Sequence, residues 1–187
     1  PCGAGVHRGA SRCGRQSRAG GGELLMMLTE DEIAEARTVI TRALEEDLRY
    51  GPDITTLATV PADAWTTASV VAREPGVIAG SDLALMVFDE VLGVGGYRVK
   101  HRVPDGTRLD AGGAALTVHA PTRGLLTAER TVLHAMFHLS GIAPTTAAWV
   151  DAVAGLGPQI SDTPQSLTCQ RCVPTYAAPV PRADTHP

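Results

Sequence analysis

The feature that most limits what this chain can fold into is where its patterning stops. Up to Asp162 the sequence alternates between helical and strand periodicity, broken by short turns. From Thr163 to Pro187 there is no period. That stretch holds Pro164, Pro174, Pro179, Pro181 and Pro187, and its only aliphatic residues beyond alanine are Leu167, Val173 and Val180. So little apolar surface cannot offset an ordering entropy of roughly 1–2 kcal/mol per residue. The first 25 residues are similar in effect: rich in Gly, Arg and Ser, nearly acid-free, and without the continuous apolar run of a secretion signal. Of 187 residues, only those between Met26 and Thr163 can build a core. We expect disordered tails at 1–25 and 164–187.

Within that middle, aromatic residues are 4% of the chain, so the core must be aliphatic. The residues LTEDEIAEARTVITRALEEDL form an amphipathic helix. Thr29 and Glu32 are its expected capping box, and Ile33, Ala36, Ile40, Leu44 and Leu48 its apolar stripe. YGPD breaks it. TTASVVAR alternates as a strand with Ala68, Val70 and Ala72 on one face, and EPGVIAG turns into a second short strand. A helix from Gly80 or Ser81 closes at Gly93. YRVKHRV and AALTVHA are further strands, separated by a turn at Pro104–Gly106. TRGLLTAERTVLHAMFHLSG is a long helix that should end at Gly141, followed by another from about Thr145 to Val153 and a short strand at PQISD. This order gives an α+β domain at 26–140 and the start of a second unit at 141–163.

Charge and cysteines narrow the function. The net charge of −4 offers no nucleic-acid surface. No window approaches 18 apolar residues, so no membrane helix is expected. Cys2, Cys13, Cys169 and Cys172 all lie outside the folded middle, which suits a reducing cytoplasm. Cys169-Gln-Arg-Cys172 has the spacing of a zinc knuckle or redox pair, but neither a second ligand pair at matching spacing nor a presenting strand accompanies it. Lys100 is the only lysine and sits inside a strand pattern, so a swinging-arm carrier lacks its hairpin-tip lysine. His134 and His138 stand at i and i+4 of the long helix, a metal-pair spacing without a third ligand nearby; they read as packed or surface histidines. Arg130 shares a helix face with Leu126, Leu133 and Phe137. An arginine there either forms a salt bridge or snorkels, or it holds a planar fork ready for a carboxylate.

Taken together, EEDLRYGPDITT, TRGLLTAERTVLHAMFHLSGIA and ISDT resemble the quinolinate phosphoribosyltransferases, over roughly Leu28 to Thr163. The likeness is to the actinobacterial type. It implies an N-terminal α/β sandwich followed by an incomplete (β/α) barrel, of which only the first helix and strand are present. It also implies a homodimer. The implied reaction joins quinolinate to phosphoribosyl pyrophosphate, with Mg2+ accompanying the pyrophosphate, in NAD synthesis. By resemblance Arg130 reaches quinolinate across the dimer interface, and Thr163 contacts substrate at the end of the first barrel strand. The family continues from that threonine's position with Arg-Lys; here Pro164-Gln165 follow. A full barrel takes about 250 residues, and 25 follow Asp162. The sequence therefore predicts a truncated or frameshifted member, with the shift near Ser161–Ser166 and no turnover of its own.

Overall fold

The computed structural model describes residues 30–154. The expected capping box, which needs Thr29, and the PQISD strand lie outside them. Helix α1 (Glu30–Asp47) follows the predicted stripe. Ala36, Ile40 and Leu44 are buried and Ile33 is half-buried against the core. Leu48, the last member of the stripe, falls beyond the helix end and stays exposed.

A short helix, α2 (Ile54–Thr59), follows directly, where the sequence suggested only a break. Asp53 makes it possible. Its carboxylate accepts from the backbone N–H of Thr55 at 3.0 Å and of Thr56 at 3.1 Å. These are donors that a helix start otherwise leaves unpaired.

Strands β1 (Trp65–Val71), β5 (Ala114–Pro121) and β3 (Arg98–Arg102) form an antiparallel sheet in the order β1-β5-β3. Strands β2 (Gly76–Val77) and β4 (Arg108–Leu109) pair separately. The central strand carries the pleat: Leu116, Val118 and Ala120 are buried, while Thr117 and His119 face the other side. On that open face Ser69 bonds Thr117 at 2.8 Å and Thr67 bonds His119 at 3.1 Å. Ala68 lies opposite Val118, on the predicted core side, yet remains exposed because β1 is an outer strand.

Helices α3 (Ser81–Leu92) and α4 (Thr122–Val153) pack on each other, and α1 touches both. Helix α4 also meets β1, β2 and β5, which makes a two-layer α+β arrangement. Its core is one cluster that includes Leu83, Val87, Phe88, Leu116, Val132, Met136 and Leu139.

The start of α3 is capped from a distance. Gly80 precedes it in a left-handed conformation, φ 90°, with no side chain to give. Asp105, from the Pro104–Gly106 turn, accepts instead from the N–H of Gly80 at 2.7 Å and of Ser81 at 3.1 Å. Arg102 donates from Nε to Ser81 Oγ at 3.0 Å and pairs through Nη2 with buried Asp82 at 2.6 Å. Tyr97 donates to the Leu85 carbonyl and to Asp89. Burial, then the nearby Asp89 carboxylate, pushes its phenol pKa well up.

The long helix corrects one expectation. It does not stop at Gly141 and restart at Thr145; α4 runs unbroken for 32 residues with Pro144 inside it. Packing overrides the local stop signal. Leu139, Ala143 and Ala147 are all buried, so the stripe continues past both breakers. Ser140 adds a tie to the loop before α3, accepting from the Ala79 N–H at 3.0 Å and donating to its carbonyl at 3.1 Å.

Candidate functional site

The exposed side of α4 is built from residues its apolar stripe leaves over. Leu125, Val132, Met136 and Leu139 face the core. Leu126, Arg130, His134, Phe137 and His138 face solvent. The face that Arg130 shares with Leu126 and Phe137 is therefore open surface, with Phe137 61% exposed.

Two neighbouring elements frame this face. Arg123, in the first turn of α4, donates from Nε and Nη2 to the Val60 carbonyl at 2.9 and 2.8 Å, and from Nη2 to that of Leu57 at 3.1 Å. It thereby occupies carbonyls at the end of α2 that have no intrahelical partner and fixes α2 beside α4. At the end of α1, Asp47 accepts from Thr131 Oγ1 at 3.3 Å and pairs with Arg130 Nη1 at 3.4 Å. Sequence reasoning found no partner for Arg130 on its own helix. The partner comes from α1, 83 positions earlier in the chain, and no helical spacing signals it.

This pair is soft. The Arg130 side chain is 83% exposed, and an exposed ion pair contributes about 0–1 kcal/mol. An incoming carboxylate can replace Asp47 at little cost, and a guanidinium can bind it through two parallel hydrogen bonds.

The segments between these anchors share another property. Leu48, Tyr50, Ile54 and Leu57, along or beside the α1–α2 connection, are exposed, as are Leu126 and Phe137 on α4. Exposed apolar side chains beside an available cation on one helix face are the composition of a contact surface rather than of a solvated one. Asp53 holds the connection in shape. The Thr56 hydroxyl, then the Thr56 and Thr55 amides, stabilise its carboxylate and keep its pKa below the ordinary 3.8.

Of the two predicted substrate-binding residues, Arg130 lies on this face. Thr163 lies outside the described residues, as do Cys169 and Cys172. Among the described residues no group of three or more His, Cys, Asp or Glu side chains is placed to hold a metal ion. No helix among them is long and apolar enough to cross a membrane.

Comparison with known proteins defines the class. Residues 53–140 match the sequence model of the quinolinate phosphoribosyl transferase N-terminal domain. The nicotinate-nucleotide pyrophosphorylase [carboxylating] of Mycobacterium leprae is 58% identical over 154 residues, covering 82% of this chain and 54% of the relative. A chloroplastic protein of the same name from Oryza sativa subsp. japonica is 37% identical over 118 residues, 63% of this chain and 31% of the relative. Among solved structures, NadC from Streptococcus pyogenes superposes with a TM-score of 0.74 at 32% identity, over 86% of this chain and 55% of that one. Residues 53–140 thus carry the N-terminal domain of the quinolinate phosphoribosyltransferases, and the chain is similar to members of that family over most of its length. It spans about half the length of the Mycobacterium leprae relative and of the matched structure.

Proposed function

We propose that this chain derives from an enzyme of NAD synthesis. That enzyme joins quinolinate to phosphoribosyl pyrophosphate, giving nicotinate mononucleotide, pyrophosphate and carbon dioxide. The chain's own contribution is Arg130, lent to the active site of a second subunit. The observation that carries this reading is the exposed, softly paired guanidinium on a helix face that also exposes Leu126 and Phe137.

The chemistry accounts for the arginine. Quinolinate bears two carboxylates, and a fixed guanidinium orients one of them at low entropic cost. The ribosyl centre becomes cation-like as pyrophosphate leaves, so catalysis rests on positioning and on charges placed in advance. One arginine is not enough. Further cations must hold the second carboxylate and the phosphates, and here Pro164-Gln165 follow Thr163 where the family has Arg-Lys. Magnesium accompanies the donor's pyrophosphate in this chemistry. Among the described residues no group of three or more His, Cys, Asp or Glu side chains is placed to hold it. We place the protein in the cytoplasm and assign the division at residues 140 and 141 to the junction of sandwich and barrel, a junction that falls inside α4.

Two measurements test the reading. The purified chain should form no nicotinate mononucleotide from both substrates with Mg2+; turnover would refute the missing-cation argument. Mixed with a full-length relative whose equivalent arginine is replaced, the chain should restore turnover, and its Arg130→Ala variant should not. Equal rescue by both would remove Arg130 from the site.

A further inference from the structure

Four histidines lie among the described residues, and they divide cleanly. His101 and His119 are tied to the sheet, through the Ala114 carbonyl at 3.1 Å and the Thr67 hydroxyl at 3.1 Å. His134 and His138 are exposed on α4. Neither makes a hydrogen bond, ion pair or ring contact with any described residue. Four residues of α-helix rise about 6 Å, and side chains at i and i+4 stand one above the other. Two imidazoles so placed can each turn a nitrogen to one cation, the geometry by which paired helical histidines hold zinc. The unbroken course of α4 through Gly141 and Pro144 keeps this spacing well inside a helix rather than at a fraying end.

We propose that His134 and His138 form a bidentate site for a divalent transition-metal ion, with water completing the coordination shell. No group of three or more ligating side chains forms among the described residues, so the site is a two-ligand chelate with open positions. Donor type favours Cu2+, with Ni2+ and Zn2+ weaker. Arg130, one turn before His134, opposes the cation, but in the single chain its side chain is 83% exposed and the repulsion is screened; the pair binds metal on the uncovered face, so a second subunit seated there competes with the ion. A bound ion would in turn add positive charge beside Arg130, and its open positions would take a carboxylate or a third imidazole.

The test uses the full chain with its cysteines alkylated, so that thiols do not compete. NiCl2 titrations followed by calorimetry, and CuCl2 titrations followed by the visible absorption of imidazole-bound copper, are run on the native chain and on His134→Gln, His138→Gln and the double variant. A second imidazole held at millimolar effective concentration should make each single substitution cost at least about tenfold in affinity. The double variant should be little worse than either single one. Arg130→His in the His138→Gln background rebuilds the i, i+4 pair one turn earlier and should recover most of the loss. The proposal fails if the native chain binds no more tightly than the double variant. It fails equally if one single substitution leaves the affinity unchanged while helical circular dichroism is intact.

Discussion

Single residues in this protein act through partners distant in sequence. Gly80 is the sharpest case. Its φ of 90° is unfavourable for any L side chain, and a Cβ there would lie 2.8 Å from Leu139 Cδ1 in the core. Gly80→Ala should destabilise the fold by about 2 kcal/mol, read as a lower denaturant midpoint at unchanged slope. Asp53 makes a pH-dependent prediction. Its folded-state pKa is depressed, so its contribution is present above the unfolded value and is lost as pH falls through the folded one. Exchange of the Thr55 and Thr56 amides should therefore quicken several-fold in Asp53→Ala at neutral pH. In the native chain their protection relative to the intrinsic rate should fall only below pH 3.8, as the carboxylate protonates. Equal exchange in native and variant chains at neutral pH would mean that the cap does not hold α2.

At the scale of elements, local propensity and tertiary packing disagree in two places, and packing prevails in α4. Pro144 removes the N–H that would bond the Ser140 carbonyl and crowds the preceding turn. Burial of Leu139, Ala143 and Ala147 on one continuous stripe outweighs that loss. Pro144→Ala should therefore stabilise the protein, by up to about 3 kcal/mol, with a rise in melting temperature; a fall would show that the helix needs the proline. In α2 capping contacts override local propensity instead. A six-residue helix is too short to stand alone, yet Asp53 at one end and Arg123 at the other occupy its free backbone groups. The capping aspartate is visible in the sequence, but a donor 63 positions away is not.

For the whole molecule, the question is what covers the face around Arg130. Our reading assigns it to a second subunit, so the chain should sediment as a dimer. Phe137→Asp, at an exposed position where the fold tolerates a charge, should shift it to monomer by at least about tenfold in dissociation constant. An unchanged dimer would move the interface elsewhere. The sequence by itself determined the amphipathic faces of α1 and α4, the alternation of the strands and the family resemblance. These are one-dimensional signals, because burial on one side of a helix or strand imposes a period on the chain. Only the tertiary structure decided that α4 passes through Gly141 and Pro144, that Asp105 caps α3, and that Arg130 pairs with Asp47 on an open face. Each of those rests on contacts between residues far apart in sequence, whose energies no local pattern encodes.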